Sequence, residues 1–575
     1  MKDMKTTIKN TALIIFSAAF FSSCLQEALP SSGAIAEQIQ GDASSVRAQV
    51  NSIPAAMFRF GSSYASCGYP GIMLMRDAMT ADFPVYDNTY DYYGYYVGAT
   101  QYLGDYDVQS DQWTLYVKLI ASCNNVISMC DPDNLTESLA GFLGNALTYR
   151  AFAYLDMTRM YEYRKTGVTS LDSRAQENKI YGLTVPIVTE KTTLTESRNN
   201  PRAEFWKMYR FILTDLNDAV DYLSSYKPSE IIYADATVAH GLLARLWLEI
   251  GTRFDNYPSD LAEALSHEGD PNVTYDKLGI NSAKEAFAKA AEHAKLAQAG
   301  HSPLTQDEWM NPETGFNTAP KTSSAWLWGM SIGTDDSAVH SWKSWIPEIS
   351  PEVSYGVVFP LNAYRMIDAR LYSGIPDSDW RKLTWINPDD AGKESAYSKY
   401  KTNLSTEAWV TIPAYTGFKF RPAQGDIDTY TTGTAVSIPL MRVEEMILIE
   451  AEALGRSVDV GTGKSALIDF VKTYRDPDYT FGGATVSDLV DEIFRQKRIE
   501  LWGEGIIMFE YKRLQKAVTR KYSGTNFLES HQLNSPDDVV ARWLNFYITS
   551  SEYQYNNALR NTLNPDPSFV SDYEY

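Results

Sequence analysis

The sequence lacks most of the features that mark metal-dependent and nucleic-acid-binding proteins. It has four cysteines and six histidines in 575 residues, with no Cys-x-x-Cys and no His-Glu-x-x-His pattern, so no transition-metal site is predicted. Basic residues are a minority, since 51 Lys and Arg stand against 72 Asp and Glu, a formal net charge of −21. Nucleic acids attract clustered Lys and Arg, so this balance argues against nucleic acid as a partner.

Long apolar runs are also missing from most of the chain. No segment after the N-terminus reaches the roughly 18 uninterrupted apolar residues that indicate a membrane-spanning helix. The N-terminus has the anatomy of an export signal, because three lysines precede an apolar run at 11–21. Small residues directly before Cys24 resemble the lipobox of bacterial lipoproteins, which predicts a signal peptide at 1–23 and acylation of Cys24. The alternative is an ordinary secretory peptide that is cut elsewhere and leaves Cys24 unmodified.

If Cys24 carries lipid, the remaining Cys67, Cys123 and Cys130 cannot all pair with one another. Cys123 and Cys130 lie in a helical pattern that separates them by about 10 Å along the axis, which is too far for a disulfide. We therefore expect buried thiols, or else one bridge that involves Cys67.

Helical periodicity dominates several long segments. In 142–161 the apolar residues recur at spacings of three and four, as in Ala146, Tyr149 and Ala153, which indicates one buried stripe on an amphipathic helix. Similar stripes run through 113–129, 205–223, 237–250, 282–299, 443–454, 466–474 and 486–514. Because the stripes fall in pairs separated by short breaks, we predict a mainly α fold of tetratricopeptide-like helical hairpins stacked side by side.

Three segments, 71–106, 167–200 and 301–433, are rich in Gly, Pro, Asn, Asp and aromatic residues and lack helical period. The longest lies between two helical blocks, so we interpret it as an irregular, loop-rich subdomain that rests on the helices. The predicted organisation is an N-terminal helical part with an aromatic loop at 24–300, the loop-rich subdomain at 301–435, and C-terminal helical hairpins at 436–575. Loops on a rigid scaffold often carry recognition residues, and we expect binding there.

Three helical motifs carry a resemblance to a known family. The motifs are RAFAYLDMTRMY at 150–161, PLMRVEEMILIEAEA at 439–453, and RIELWGEG at 498–505 with the basic pair Lys512 and Arg513 after it. In this order and spacing they resemble the SusD/RagB family of lipid-anchored, nutrient-binding proteins of the Bacteroidetes outer membrane. The resemblance covers nearly the whole mature chain.

The charged residues of these motifs are interpreted as scaffold. The helix-borne charges expected to pair between neighbouring helices, and not to contact a ligand, are Arg442, Glu445, Glu500 and Glu504. The sequence departs from the family pattern at Gln496, where a Glu is usual, and at Ile507, where an Arg is usual. We therefore expect a local ion pair of the family to be missing here.

The resemblance implies a SusD-like superhelix that is lipid-anchored at the outer membrane and faces the exterior. Such a protein would capture oligosaccharide or polysaccharide without catalysis and pass it to a TonB-dependent transporter of the SusC type. The alternatives are a peptide-binding member similar to RagB and, in a different class, a surface glycoside hydrolase. With 72 acidic residues, neighbouring carboxylates arise by chance and do not by themselves indicate hydrolysis.

The first candidate for glycan binding is the segment 86–106, where eight of 21 residues are tyrosine. Sugar binding needs aromatic faces for the C–H face of a ring and polar groups for its hydroxyls. The predicted glycan-binding residues are Tyr86, Tyr90, Tyr92 and Tyr93, with Arg76 near them. The alternative is that most of these rings pack the loop against the scaffold.

Trp342 and Trp345 are the second candidate, because they lie in a polar part of the loop-rich segment. Their alternative role is a structural clamp on that loop. Trp326 and Trp328 occur in an alternating run that is typical of a strand, so we expect them in the core.

No cofactor is predicted. The run GTGKS at 461–465 imitates a phosphate-binding loop, but Val458 occupies the position of its first glycine, so we interpret the run as a turn before a helix. Asp105, Asp107 and Asp111 lack the spaced oxygen ligands of a calcium loop and are interpreted as solvated charges.

Overall fold

The structure is a computed structural model that describes residues 43–58, 67–86, 92–97, 107–318, 323–335 and 344–569. Within these ranges the chain forms 21 α-helices and one two-stranded sheet. The first helices are α1 Ala43–Ala56, α2 Tyr69–Ala78, α3 Tyr92–Val97, α4 Asp107–Met129, α5 Glu137–Tyr161, α6 Thr169–Glu177, α7 Leu194–Ser197, α8 Phe205–Leu223, α9 Ala236–Asn256, α10 Pro258–Ser266, α11 Ala283–Ala297 and α12 Gln306–Met310. The rest of the chain forms β1 Trp326–Ser331, α13 Trp345–Ile349, α14 Ala369–Ser373, α15 Thr406–Trp409, α16 Tyr430–Gly433, β2 Ser437–Arg442, α17 Val443–Ser457, α18 Val460–Tyr474, α19 Val486–Glu500, α20 Ile507–Leu514 and α21 Ser550–Tyr553.

The long helices form a scaffold in which neighbours along the chain pack on each other. Helix α4 packs on α5, α5 on α8, α8 on α9, α9 on α11, α11 on α17, and α17 on both α18 and α19. The apolar stripe that predicts α8 is buried along its length, at Phe205, Met208, Ile212, Leu216 and Ala219. The predicted mainly α fold of paired helices is thereby confirmed.

Helices α9 and α11 approach closely because small residues line their contact. Ala290 and Ala294 are buried along α11. Gly251 of α9 lies against the ring of Phe287, and a Cβ added to this glycine would be 2.8 Å from a ring carbon. Since the side chains at the contact set the distance between helix axes, this packing determines which residues of the two helices meet.

The C-terminal stripe at 486–514 differs from the single helix that its periodicity indicates. It forms two helices, α19 and α20, because the chain turns sharply between Glu500 and Ile507. Gly503 and Gly505 have φ of 80° and 68°, a left-handed conformation that favours glycine. A Cβ at Gly505 would lie 2.5 Å from Met73 Cα, so the glycine also permits the close approach of α2.

The run GTGKS is not the turn that its sequence suggests, because helix α18 already begins at Val460. The side chain of Asp459 caps this helix by accepting a hydrogen bond of 2.9 Å from the amide of Thr462. A Cβ at Gly463 would lie 2.7 Å from the backbone of Gly455 in α17. The glycine therefore serves helix packing, and the interpretation as a turn was wrong.

Strands β1 and β2 pair antiparallel and connect the loop-rich region to the C-terminal helices. Trp326 and Trp328 are both buried in β1, as their alternating pattern predicts. Strand β2 ends at Arg442 and runs directly into α17. The predicted domain boundaries at 301 and 435 stay a prediction. Strands β1 and β2 lie on opposite sides of the boundary at 435 and pair across it.

Eight charged side chains form a buried charge cluster where β2, α17, α18 and α19 meet the loop-rich region. They are Asp379, Arg381, Lys419, Arg442, Glu444, Arg475, Glu500 and Glu504, and each is at most 3% exposed. Arg442 contacts Glu444 at 2.7 Å and Glu504 at 2.8 Å. Arg475 contacts Glu500 at 2.8 Å, and Arg381 contacts the same carboxylate at 3.0 Å. Four cations thus face four anions away from water.

These contacts confirm that the motif charges belong to the scaffold. Besides the pairs within the buried charge cluster, Glu445 contacts Arg245 of α9 at 2.6 Å. Burial alone raises the pKa of the Glu500 carboxyl, but Arg475 and the neighbouring guanidinium groups more than offset it and hold this pKa well below its usual range. Burial lowers the pKa of Lys419 to about 8 although Glu504 stabilises its charge.

Gln496 extends the buried charge cluster without adding a charge. Its amide oxygen accepts a hydrogen bond of 2.7 Å from Arg381, and its amide nitrogen donates one of 2.9 Å to Glu492. Hydrogen bonds therefore take the place of the ion pair that the family pattern implies. A Glu at this position would add a fifth carboxylate to a cluster whose charges are already balanced.

The predicted signal peptide at 1–23 and the predicted lipidation site Cys24 lie outside the described residues. Among the helices that the structure describes, none combines the length and apolar character needed to cross a membrane. Cys67, Cys123 and Cys130 are free and buried. Burial raises the pKa of the Cys130 thiol to about 11, which suppresses the reactive thiolate.

We predict that Glu500→Gln destabilises the protein by about 3–5 kcal/mol, because it leaves buried guanidinium groups without a full counter-charge. Urea unfolding followed by circular dichroism measures the change. Asp491→Asn on the same helix is the matched control, since Asp491 pairs with Lys516 at the surface and its loss should cost at most about 1 kcal/mol. Equal effects of the two variants would show that the buried charge cluster does not stabilise the fold.

Candidate functional site

Tyr86 stands at the start of the tyrosine-rich segment and is anchored to the loop-rich region. Val85 forms an antiparallel bridge with Arg365, and the amide of Tyr86 donates a hydrogen bond of 3.1 Å to the carbonyl of Tyr364. The rings of Tyr86 and Tyr364 meet edge-on with centroids 6.0 Å apart. Tyr86 remains 49% exposed, so its ring is held by the backbone and is open to solvent.

Arg365 joins the two aromatic segments that the sequence singles out. Its guanidinium lies 5.4 Å from the ring centroid of Tyr93, and its Nε donates a hydrogen bond of 2.9 Å to the carbonyl of Glu348 in α13. Helix α13 begins at Trp345. We call Val85, Tyr86, Tyr93, Glu348, Tyr364 and Arg365 the Arg365 junction. No local sequence pattern indicates Arg365, because the residues that it contacts, Val85, Tyr93 and Glu348, lie in other segments of the chain.

Tyr93 is a buried member of this junction. Its hydroxyl lies 3.5 Å from the Sγ of Cys67. Burial, followed by the neighbouring Cys67 and Glu348, raises the pKa of Tyr93 well above its usual value. Burial and the charge of Glu348 likewise raise the pKa of Cys67 to about 12. Both groups are uncharged at neutral pH, so they support the junction by packing and polar contact.

Trp345 is also buried, in contrast to the expectation that it contacts a ligand. Its ring packs edge-to-face on Phe420 at 4.6 Å, and Phe420 stacks on Trp502 at 6.4 Å. The indole nitrogen of Trp502 donates a hydrogen bond of 2.9 Å to the carbonyl of Asp82. Trp345 thus matches its alternative role as a clamp, because its ring fills the space between the loop-rich region and the C-terminal helices.

Arg76 belongs to the scaffold and not to an open binding surface. It is 1% exposed and contacts Asp156 of α5 at 2.9 Å. Its Nη2 donates a hydrogen bond of 2.8 Å to the hydroxyl of Tyr69. A buried guanidinium requires such partners, so a ligand could reach Arg76 only by breaking them.

The remaining predicted residues are described in part or not at all. Tyr90 and Trp342 lie outside the described residues, and Tyr92 starts α3 with a side chain that is not described. Of the seven predicted glycan-binding residues, the structure therefore places Tyr86 at the surface and Tyr93, Trp345 and Arg76 in the interior. It brings Tyr86, Tyr93 and Glu348 of α13 together around Arg365.

A second exposed tyrosine lies in the loop-rich region. Tyr430 is 43% exposed, and its ring meets Tyr355 edge-on at 6.3 Å. The amide of Ser354 donates a hydrogen bond of 2.8 Å to the carbonyl of Ile427, which holds the two segments together. Tyr430 has no aromatic neighbours in sequence, so the clustering that marks 86–106 does not reveal it.

A cleft of about 730 Å³ opens on a different part of the molecule, between α4, the segment 185–200 and α21. Its walls combine apolar, aromatic and polar side chains, among them Trp113, Val117, Asn124, Met157, Glu190 and Tyr555. The indole of Trp113 donates a hydrogen bond of 3.0 Å to Glu552. Tyr555 is 74% exposed. The sequence does not mark this cleft, because its lining comes from four separate regions.

Comparison with known proteins gives consistent matches over most of the chain. A family model described as "Starch-binding associating with outer membrane" matches residues 73–248, and a model of the SusD family matches residues 361–565. No curated protein matches the chain.

Solved structures extend the likeness to the fold as a whole. A SusD-like carbohydrate-binding protein from Bacteroides vulgatus is 21% identical with a TM-score of 0.66, and the match covers 92% of this chain and 99% of that one. A SusD superfamily protein from Bacteroides thetaiotaomicron is 19% identical with a TM-score of 0.60, over 91% and 99% of the two chains. One from Parabacteroides distasonis is 15% identical with a TM-score of 0.62, over 90% and 98%. At these identities the likeness shows a shared fold.

We predict that Arg365→Gln loosens the Arg365 junction without unfolding the scaffold. The variant loses the contact with Tyr93 and the hydrogen bond to Glu348, so peptides that contain Tyr86 and α13 should exchange amide hydrogen about ten times faster or more. Hydrogen–deuterium exchange measures this effect, with peptides from α5 as an internal reference. Arg370→Gln is the matched control, because Arg370 lies at the surface over Tyr522. Unchanged exchange in Arg365→Gln would contradict the joining role of Arg365.

Proposed function

The chain belongs to the SusD family, and from this premise we propose that it is a cell-surface lipoprotein that binds an oligosaccharide without altering it chemically. It then passes the ligand to a TonB-dependent outer-membrane transporter of the SusC type. The family's description as starch-binding and associated with the outer membrane supports both the class of ligand and the location.

The observation that carries the proposal is the exposed ring of Tyr86 at the Arg365 junction. Carbohydrates bind to aromatic faces that are fixed in place and bordered by polar groups. Tyr86 is fixed by its backbone hydrogen bond to Tyr364 and is half exposed. The tyrosine-rich segment continues from Tyr86, and the segment that contains Trp342 ends where α13 begins, so both aromatic segments adjoin the same junction.

Within this proposal the predicted residues divide into two roles. Tyr86, Tyr90, Tyr92 and Trp342 supply the rings that contact sugar. Tyr93 and Trp345 are buried and support the two segments from the interior. A rigid support of this kind reduces the conformational entropy that is lost on binding, and so favours affinity without a deep pocket.

Acylation of Cys24 would tether this binding surface to the outer membrane. The first described helix begins at Ala43. The chain between Cys24 and Ala43 can span at most about 65 Å, even when fully extended. A tether of this reach would keep the protein beside a membrane-embedded barrel and still permit it to move over the barrel, which is what delivery to a transporter requires.

We predict that Tyr86→Ala weakens glycan binding by about 5- to 30-fold, because loss of a central aromatic contact typically costs about 1–2 kcal/mol. A glycan array identifies a ligand, and affinity gel electrophoresis then compares the variants. Tyr555→Ala is the matched control, since Tyr555 is an exposed tyrosine in the separate cleft.

Three outcomes of this experiment would contradict the proposal. Equal binding by wild type and Tyr86→Ala would place the site elsewhere. Release of reducing ends from the bound polysaccharide by the purified protein would instead indicate a glycoside hydrolase. Binding of peptides in the absence of glycan binding would favour the RagB-like alternative.

We also predict that Cys24→Ser moves the protein from the detergent-rich phase to the aqueous phase in Triton X-114 partitioning, because the thiol that accepts the lipid is gone. Protease treatment of intact cells measures exposure at the exterior in parallel. Cys67→Ser is the control, since Cys67 is a buried thiol. A wild-type protein that already partitions into the aqueous phase would show an ordinary secretory signal instead of a lipoprotein signal.

A further inference from the structure

Two histidines, His240 of α9 and His293 of α11, contact each other between these neighbouring scaffold helices. The Nδ1 atom of His240 lies 3.0 Å from the Nδ1 atom of His293. Their rings are 5.2 Å apart between centroids and inclined by 26°. The close packing of α9 on α11 brings the two side chains together. Both are half-buried, so water still reaches the pair.

The surroundings of both imidazoles favour the neutral ring. Burial lowers the pKa of His293 to about 4, and the neighbouring His240 and Lys289 act in the same direction. Burial also lowers the pKa of His240, although Glu292 and Asp235 oppose this shift. A neutral imidazole offers one nitrogen lone pair, which is the form that binds metal ions.

We infer that His240 and His293 together chelate one divalent transition-metal ion with tetragonal or octahedral preference, of the Ni²⁺ or Cu²⁺ class. The ion would replace the hydrogen bond between the two Nδ1 atoms, and water would complete its coordination. It would link α9 to α11 through two protein ligands.

The separation of the two nitrogens selects the class of ion. Metal–imidazole bonds are about 2.0–2.1 Å long, so an ion bound to both nitrogens at their present separation would have an N–metal–N angle of about 91–97°. This is close to the right angle between neighbouring ligands in square-planar and octahedral sites, which Ni²⁺ and Cu²⁺ adopt. A tetrahedral Zn²⁺ ion would need the nitrogens about 3.3–3.4 Å apart.

The surroundings limit the site to these two protein ligands. In the parts of the chain with described side chains, no group of three or more His, Cys, Asp or Glu residues is placed to hold a metal ion. Neither imidazole has a further hydrogen-bond partner among the described residues. The second nitrogen of each ring is therefore available to water, and the ion must displace only the hydrogen bond between the two rings.

Isothermal titration of the full chain with NiCl₂ tests the inference, with a protein that carries no polyhistidine tag and is freed of metal by chelator beforehand. We expect one Ni²⁺ per chain, and at least a ten-fold loss of affinity in both His240→Gln and His293→Gln. His267→Gln is the matched control, because His267 is a half-buried histidine that stacks on Trp206 without a second histidine. This variant should bind Ni²⁺ as wild type does.

A second measurement keeps the test valid if either variant folds poorly. Saturating Ni²⁺ should raise the thermal unfolding midpoint of wild type and of His267→Gln, but not of the two pair variants. If Ni²⁺ does not bind saturably, the two histidines form only a hydrogen bond with each other and the inference is overturned. Equal loss in His267→Gln, or tighter binding of Zn²⁺ than of Ni²⁺, would also overturn it.

Discussion

The buried charge cluster is the constraint on which the rest of the structure depends. Four basic and four acidic side chains lie out of contact with water, where an unpaired charge costs several kcal/mol. Every element that contributes a charge must therefore be in place for the others to be satisfied. Arg442 contributes from β2, Arg475 from the end of α18, and Arg381 from the loop-rich region. The cluster thus specifies how the irregular half of the molecule docks on the helices.

The candidate site is connected to this cluster by a continuous series of contacts. Lys419 donates a hydrogen bond of 2.8 Å to the carbonyl of Trp502, and the Trp502 ring stacks on Phe420. Phe420 supports Trp345, where α13 begins, and Arg365 then fixes that helix to the tyrosine-rich segment. Tyr86 can therefore be held in place although it lies in a loop, because buried side chains connect its supports to the scaffold.

Sequence periodicity predicts the helices that are buried on one face, but it does not predict those that are buried on all faces. Helix α8 has a clear apolar stripe and is predicted at its observed bounds, whereas every residue of α2 is buried, so that segment shows no helical period. The sequence also does not predict that Arg76 and Tyr93 are interior residues. Composition alone cannot distinguish a ring or guanidinium at the surface from one with buried partners. Arg365 and the histidine pair depend on contacts between remote segments, which no local pattern encodes.

The most direct test of the account is a crystal structure of the protein with the oligosaccharide that it binds most tightly. We expect a sugar ring stacked on Tyr86 beside the Arg365 junction, with Tyr93, Trp345 and the buried charge cluster unchanged from the unbound form. An oligosaccharide bound in the cleft between Trp113 and Tyr555, with the ring of Tyr86 free, would contradict the proposed site.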